Sequence, residues 1–477
     1  MHFGPFALDE RTWLLARDGT AVELSPRLVE ILAYLAARPG TIVSKDELLE
    51  RFWPDVHVTE NTLTRAIADI RKALGDHAAE PQFVQTVSRR GYRFIGGRAA
   101  DADDVFASWV KGRADLDSLS IARLPTAVAA FERAVAELPW YAPAHAGLAN
   151  AYLLQLDEAR AGLAPDVEGI ARAMAVARQA CLLDASLGEG WAVLGHLLTL
   201  AGQSRDAQAA ARRATAVEPG NWRHQYRLAL ATWGEDRLRA VDRALALMPG
   251  FAPGHLLSAM VFVARGALDR AEHEATLGAE AQRRQAREPS PLPAAGLHWL
   301  RGLVLWARGD VSAALGSLAE ELATKGSDHV YARECVVNAQ LAHGYIRLTQ
   351  GADAEAASSF RAVLDALPRH PRAALGLAVA LERLGASSEA RALRAPLEEA
   401  ISRLTREGRL DDAALLTAGD QALGSRPAEA LRTLEQLLRS APPGRTGWHV
   451  PIDPAFAHLR RLDGFAELLS ILAARAA

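Results

Sequence analysis

A degenerate repeat runs through the larger, C-terminal part of this sequence and constrains its fold more than any other feature. One copy is marked by small residues and a final proline: Gly195, Ala207, Ala211, Ala214 and Pro219. A later copy keeps the same spacings with Gly344, Ala356, Phe360, Val363 and Pro368. Small residues let paired helices approach closely, large residues fill the gap between pairs, and the proline ends the second helix. The pattern therefore predicts stacked pairs of helices.

This pattern resembles the tetratricopeptide repeat, whose period is about 34 residues. Roughly seven or eight degenerate copies fit between residues 105 and 440, and residues 441–477 resemble the helical cap that closes such arrays. Residues 99–104 are small and acidic, and we interpret them as a linker. The resemblance implies an all-α superhelical solenoid with a groove for a peptide, a protein, a small molecule or a second copy of the chain.

Aromatic residues recur on the first helices of these repeats. In the register of the resemblance, five of them fall at positions that tend to face the groove: Tyr226, Trp233, Trp299, Trp306 and Tyr345. An aromatic-lined groove is suited to a ligand or a peptide. Aromatic residues between repeats more often fill the core, so the sequence leaves both interpretations open.

Residues 1–98 have a different pattern, in which short strands alternate with helices. The strand-like segments are residues 3–8, 12–15, 21–24, 41–43, 83–87 and 92–95. Helices are expected over residues 27–37, after Ser44 and over residues 61–74. Ser44 and Glu47 have the spacing of a capping box, which marks the start of a helix. Strands, three helices and a terminal hairpin predict a winged helix-turn-helix, which is an α+β fold.

The helix over residues 61–74 is amphipathic. Its apolar face carries Leu63, Ile67, Ile70 and Leu74, and its opposite face carries Thr62, Arg65 and Asp69. Arginine suits the guanine edge in the major groove of DNA. The hairpin tip at Arg89 and Arg90 suits the electronegative minor groove or phosphates. An ordinary amphipathic helix and a solvated hairpin tip are the alternatives that these residues alone leave open.

Several motifs together make the resemblance to a known family specific. They are Leu24-Ser-Pro-Arg27, Arg38-Pro-Gly-Thr-Ile-Val-Ser-Lys-Asp-Glu-Leu48, Phe52-Trp-Pro54, Asn61-Thr-Leu63, Ile70-Arg-Lys-Ala-Leu-Gly75 and Thr86-Val-Ser-Arg-Arg-Gly-Tyr-Arg-Phe94. These motifs resemble the OmpR/PhoB-type winged-helix DNA-binding domain, and within it the CadC/ToxR-like branch. The resemblance implies sequence-specific binding at promoters, with the third helix in the major groove and the wing in the minor groove.

The resemblance also assigns candidate contact residues. On the recognition helix it implies Asn61, Thr62, Arg65, Asp69, Arg71 and Lys72, and on the wing it implies Ser88, Arg89 and Arg90. Members of this family often have the wing arginine at the position of Ser88, so which of the two following arginines enters the groove stays open. Trp53 falls where phosphates are contacted. Asp55 and Glu60 fall in the connection that can touch RNA polymerase.

The charge of this segment is balanced overall and positive only locally. Residues 1–98 contain 13 Arg and Lys against 13 Asp and Glu, and the whole chain carries a net charge of -3. Residues 84–98 contain four arginines and no acid. The positive charge is therefore local, at the wing and along one helix, and we expect weak non-specific affinity for DNA.

Several classes of protein are disfavoured. Two distant cysteines, Cys181 and Cys335, form no metal or redox motif. The sequence contains no nucleotide-binding fingerprint and no catalytic constellation, so we expect no enzyme activity, no catalytic residues, no metal and no cofactor. No signal peptide or stretch long enough to span a bilayer is visible, so we expect a cytoplasmic protein without membrane partners.

The sequence therefore predicts a one-component transcriptional regulator. The winged helix binds double-stranded promoter DNA, and the array senses a partner or ligand or drives self-association. Because one winged helix buries little DNA surface, we expect two copies side by side. The alternative is a scaffold in which the array is the working part and the winged helix is a docking module or a weak DNA tether.

Overall fold

The computed structural model describes residues 2–477 except 4, 10–11, 18–19, 54–59, 89, 97–98, 160–165, 286–294 and 443. The chain divides into two compact units. The first contains Met1–Ala114, Thr126–Ala149 and Ala175–Gly190, and the second contains Asp115–Pro125, Asn150–Met174 and Trp191–Ala477.

The first unit begins with a small winged-helix domain. An antiparallel sheet is formed in sequence order by β1 (His2–Phe3), β2 (Phe6–Asp9), β3 (Leu14–Arg17) and β4 (Thr20–Val22). A second sheet has the order β5-β7-β6, from β5 (Ile42–Ser44), β6 (Val84–Val87) and β7 (Gly91–Phe94). The three helices are α1 (Pro26–Ala36), α2 (Lys45–Phe52) and α3 (Glu60–Leu74). This architecture confirms the predicted fold class.

One expectation about the strands was wrong. Residues 3–8 do not form one strand, because the chain reverses and Phe3 pairs with Phe6 across a hairpin. Pro5 lies between the two strands, and a proline cannot donate a ladder hydrogen bond. The other strands and helices lie within one or two residues of their predicted positions, which is the usual uncertainty of element boundaries.

The core of this domain joins the sheets to the helices. Phe3 contacts Phe94 edge-to-face at 5.0 Å between ring centroids, and Phe6 contacts Phe83 at 5.4 Å. The buried faces of α1 and α3 complete the same core with Ile31, Leu32, Leu35, Leu63, Ile67 and Ile70. Because α3 and the strand pair β6–β7 share this core, the helix and the wing form one packed body.

The rest of the chain is helical. The helices are α4 (Ala99–Asp117), α5 (Leu124–Glu137), α6 (Ala142–Ala159), α7 (Val167–Leu183), α8 (Gly188–Leu200), α9 (Ser204–Val217), α10 (Trp222–Ala231), α11 (Gly234–Leu247), α12 (Ala252–Ala264) and α13 (Leu268–Gln285). They continue with α14 (Leu297–Ala307), α15 (Val311–Leu322), α16 (Ala332–Thr349), α17 (Asp353–Ala366), α18 (Pro371–Arg383), α19 (Ser387–Arg406), α20 (Leu410–Leu423), α21 (Pro427–Ser440), a 3-10 helix (Pro454–Arg461) and α22 (Phe465–Arg475). The segment predicted as a linker, residues 99–104, is the first part of α4.

In the second unit the helices pack as consecutive pairs, from α10 with α11 to α20 with α21. The pairing follows the predicted contact of small with large residues. A Cβ placed on Gly344 in α16 or on Gly376 in α18 would lie 2.7 Å and 2.3 Å from the ring of Phe360 in α17. Only glycine lets both neighbouring helices approach this buried ring. These pairs form a helical array of the tetratricopeptide type.

In the described part of the chain, no helix combines the length and the apolar character that crossing a bilayer requires.

Candidate nucleic-acid interface

The third helix of the winged-helix domain presents one open polar face. α3 is 15 residues long and therefore about 22 Å in length. Asn61, Arg65, Asp69 and Lys72 are exposed and Thr62 is half-buried. Within the described residues, none of these five side chains has a hydrogen-bond or ion-pair partner. The face is therefore free to contact a ligand outside the chain.

A helix cap and an ion pair define the starts of α2 and α3. The hydroxyl of Ser44 accepts a hydrogen bond from the Glu47 backbone at 3.0 Å, which caps α2 as the sequence predicted. At the start of α2, Lys45 Nζ lies 2.5 Å from a carboxylate oxygen of Glu60, the first residue of α3. This hydrogen bond raises the pKa of Lys45 above its ordinary value. Glu60, a predicted polymerase contact, thus bridges the two helices, and Asp55 lies outside the described residues.

The wing is the turn between β6 and β7. Ser88 and Arg90 are exposed, and Arg89 lies outside the described residues. Gly91 follows with a φ of +147°. A Cβ there would lie 2.0 Å from the carbonyl oxygen of Val43, so only glycine lets β7 pair with β5 at this position. The Arg-Gly-Tyr sequence therefore places Arg90 at the edge of the wing and Tyr92 in the core.

Two charged residues hold the wing hairpin against the end of α3. Arg71 donates from Nε (3.0 Å) and from one terminal nitrogen (2.7 Å) to the Val84 carbonyl oxygen, and to the Thr86 hydroxyl at 2.8 Å. The Asp76 carboxylate accepts backbone hydrogen bonds from Gln82, Phe83 and Val84 at 2.6, 3.1 and 2.8 Å. We call Arg71 and Asp76 the wing clamp. It fixes the distance between the helix and the wing.

The wing clamp changes the interpretation of one residue and adds another. Arg71 was predicted as a backbone contact to DNA, and the structure engages its guanidinium inside the domain. The sequence did not predict a role for Asp76, which is buried in the structure and only 6% exposed. The available signal was an acid directly after Gly75, which has a φ of +68° and ends α3 as predicted.

Trp53 ends α2 and is half-buried against the core of the domain. The Arg27 guanidinium lies 5.9 Å from its ring centroid. The indole is thus held at the surface beside a cation, which is compatible with the predicted position next to a phosphate.

Of the five aromatic residues predicted to line a groove, two are buried and three are half-buried. Tyr345 is 1% exposed and Trp306 is 7% exposed, so in this structure neither ring is open to a ligand outside the chain. The Tyr345 hydroxyl donates to the Arg372 carbonyl at 2.6 Å, and the ring packs on Phe360. Trp233 and Trp299 pack against the same core cluster as Trp306, and Tyr226 packs edge-to-face on Phe251 at 4.8 Å. Packing, the alternative left open by the sequence, accounts for the two buried rings.

No group of three or more His, Cys, Asp or Glu side chains that could hold a metal ion occurs among the described residues. The thiol of Cys181 is buried, and burial raises its pKa to about 12, so it stays protonated at neutral pH.

Comparison with known proteins assigns the first domain to a family. Residues 19–94 match the family described as transcriptional regulatory protein, C terminal. The chain is 34% identical over 82 residues to the transcriptional activator CadC of Escherichia coli K12, covering 17% of this chain and 16% of CadC. It is also 31% identical to the Klebsiella pneumoniae RstA DNA-binding domain, solved in complex with the RstA box, over 20% of this chain and 95% of that one, with a TM-score of 0.19.

The helical part resembles solved helical-repeat proteins more distantly. YrrB, a tetratricopeptide protein with an unusual peptide-binding site, is 19% identical over 42% of this chain and 95% of its own length, with a TM-score of 0.28. The likeness to CadC spans about one sixth of that protein, and is confined to one domain. The N-terminal domain of this chain belongs to the OmpR/PhoB-type DNA-binding domains of transcriptional regulators, and a tetratricopeptide-like helical array follows it.

Proposed function

We propose that this chain is a sequence-specific DNA-binding regulator of transcription. One observation carries the proposal. The polar face of α3 is exposed and has no partner among the described residues, and the wing clamp holds it at a fixed distance from the exposed Arg90. A helix and a wing held in this way can contact two adjacent grooves of one duplex.

The contacts divide into two kinds. Thr62, Arg65 and Asp69 reach base edges in the major groove, where Arg65 donates to guanine. Asn61, Lys72, Trp53 and the wing residues Ser88, Arg89 and Arg90 contact phosphates or the minor groove, which positions the domain without reading every base. Arg71 acts through the wing clamp.

The array supplies the second half of the proposed function. It senses a protein, peptide or small-molecule partner or joins two copies of the chain, because one winged helix buries too little DNA for high specificity. Glu60 and Asp55 remain the proposed polymerase-facing residues, and Glu60 is exposed and paired with Lys45.

A binding titration with the full chain tests the proposal. The DNA is the sequence enriched from a random library, and random duplex of the same length is the competitor. We expect Arg65→Ala to reduce the preference for the selected sequence by about ten- to hundredfold. Arg205→Ala, which removes another exposed arginine from α9, is the matched control and should bind like wild type.

Two results would contradict the proposal. If selection enriches no sequence, the winged helix is not a DNA reader and the scaffold alternative replaces the regulator. If Arg65→Ala lowers affinity for selected and random DNA equally, Arg65 contacts phosphate and the base-reading assignment of α3 is wrong.

A further inference from the structure

The last part of the chain lies along the array instead of only at its end. We call residues 448–477 the closing segment. They include the 3-10 helix Pro454–Arg461 and α22. The 3-10 helix contacts α14, α16, α20 and α21, and α22 contacts α12 and α21. Asp453 adds an ion pair to Arg372 at the start of α18. The closing segment therefore contacts the first helix of every pair from α12 to α20.

Apolar side chains seat this segment. Val450, Ile452, Phe456 and Leu459 are at most 3% exposed. Ile452 belongs to the cluster formed by Leu303, Val304 and Ile346 of α14 and α16. Phe456 belongs to a cluster with Ala264, Ala418 and Ala422 of α12 and α20. The small residues of the first helices leave room for the side chains of the closing segment.

An acidic residue fixes the position of the closing segment along the array. Asp453 Oδ2 lies 2.5 Å from a guanidinium nitrogen of Arg372, while Oδ1 accepts from the Ala455 backbone at 3.0 Å. One carboxylate therefore both binds the array and starts the 3-10 helix. Asp453 makes both of these contacts. Asp463, two residues beyond the 3-10 helix, is an exposed acid of the same segment.

A cation–π contact also holds the closing segment against the array. The Arg460 guanidinium lies 4.3 Å from the ring centroid of Trp306 and donates to the Pro451 carbonyl at 2.8 Å. Trp306 is one of the aromatic residues that the sequence placed in the groove. The closing segment covers the face where the sequence analysis expected a ligand.

These contacts have the character of a bound peptide. A 3-10 helix of eight residues has little stability of its own, because its hydrogen-bond geometry is poor and helix nucleation is costly. Its conformation therefore depends on the first helices that it contacts.

We propose that the first-helix face from α12 to α20 is a peptide-binding groove whose resident ligand is the closing segment. Its specificity is for a short polypeptide with an aspartate between apolar residues, as in Pro451-Ile-Asp-Pro-Ala-Phe456. A partner with this chemistry binds only where the closing segment has left the groove. This surface shares no residue with α3 or the wing, and the inference does not depend on DNA binding.

The test uses the full chain with one cut. A protease site is inserted after Gly444, between α21 and the closing segment, where the next residue, Arg445, is exposed. After cleavage, the protein is dialysed out of denaturant with an excess of a fluorescent peptide of residues 448–477. Fluorescence anisotropy and gel filtration then report whether the peptide has replaced the cleaved fragment, and circular dichroism reports the helical content. No DNA is present, so the result is independent of the DNA-binding proposal.

We expect the cut chain to keep its helical content and to incorporate the labelled peptide, while the uncut chain incorporates none. A peptide with Asp453→Ala should bind at least about tenfold more weakly than the natural peptide. A peptide with Asp463→Ala is the matched control and should bind like the natural peptide.

Three results would overturn the proposal. Loss of helical content on cleavage, with no recovery on adding the peptide, would make the closing segment an inseparable part of the core. A folded array that excludes the labelled peptide would show that the face is no peptide-binding groove. Equal binding of the Asp453→Ala and Asp463→Ala peptides would remove the assigned specificity.

Discussion

The exposed polar surface of α3 and the wing and the first-helix face of the array use charged residues in opposite ways. Around α3, the residues that make internal contacts lie behind the surface, in the wing clamp, and Arg65 and Arg90 remain exposed. On the array, Arg372 pairs with Asp453 of the closing segment, and Arg460 of the closing segment lies over the ring of Trp306. One face is therefore open to a ligand, and the other already holds one.

This difference shows why exposure on a helix face is a better guide to an open binding surface than composition. The array contains more of the aromatic residues that binding grooves favour, yet Trp306 and Tyr345 are buried. The winged helix has no net charge by residue count, yet Arg65 and Arg90 are exposed on α3 and the wing. An available surface is defined by which side chains the fold leaves without partners.

The largest expected effect comes from Asp76, which supports the exposed surface of α3 and the wing from inside the domain. Asp76→Ala removes the acceptor of three backbone hydrogen bonds, and the donors at Phe83 and Val84 are buried. Leaving them unsatisfied should lower the stability of the winged-helix domain by about 3 kcal/mol. The measurement is the urea midpoint of the domain, followed through the fluorescence of Trp13 and Trp53 in a chain whose other tryptophans are replaced by phenylalanine.

Asp69→Ala is the control for this prediction, because Asp69 is exposed on α3 and has no partner among the described residues. The free energy of unfolding of this variant should stay within about 0.5 kcal/mol of that of the parent chain. Equal effects of the two substitutions would mean that the clamp does not fix the wing.

The second prediction concerns the first-helix face of the array, which the closing segment covers. Asp453→Ala removes the partner of Arg372 and the cap of the 3-10 helix. Because the Arg372 side chain keeps 35% of its surface exposed, solvent limits the penalty for the unpaired cation. We expect a loss of about 2 to 3 kcal/mol in the unfolding of the array, observed as a lower thermal midpoint.

Asp463→Ala, an exposed acid of the same segment, should leave that midpoint unchanged. An unchanged midpoint for Asp453→Ala as well would show that apolar packing alone seats the closing segment.

The sequence predicted the elements of both surfaces but not their internal partners. The periodicity of Leu63, Ile67 and Ile70 placed α3 within one residue, since a helix face is a local property. Likewise, the spacing of Gly344 and Phe360 follows from contacts between neighbouring helices. Asp76 was missed because its role depends on which backbone N–H groups the folded hairpin turns towards it. The closing segment is held by residues distant in sequence: Arg265, directly after α12, donates to the Ala476 carbonyl 211 positions away. No local pattern encodes such a contact.

A third prediction concerns pH and belongs to the filled surface. His370 caps α18 beside Arg372, and its ring nitrogen accepts from the Ala373 backbone. Burial lowers its pKa from 6.5 to about 4. Between these values the unfolded chain binds a proton that the folded chain does not, so stability falls as the pH falls from 6.5 towards 4. From pH 7 to pH 5 the loss should be about 2 kcal/mol.

Thermal unfolding of wild type and His370→Asn at both pH values measures this effect, because asparagine keeps the capping acceptor and does not titrate. The wild-type chain should lose more stability than the variant between pH 7 and pH 5. Some loss should remain in the variant, since burial also lowers the pKa of His298 and His343. Identical losses would show that His370 is protonated in the folded chain or exposed to water.

The smallest expected effect sharpens the description of the open surface. Arg90 is exposed at the wing, has no partner among the described residues and contributes one positive charge towards DNA. Arg90→Ala should weaken binding by less than about tenfold, evenly across selected and random sequences, because a phosphate contact carries no base information. The slope of log K against log salt concentration should become shallower by about 1, as one fewer counterion is released. Arg65→Ala should instead change the preference between sequences, and Arg205→Ala should change neither quantity. A sequence-dependent loss for Arg90→Ala would place this arginine in the minor groove, where it reads the groove width that A·T-rich sequences create.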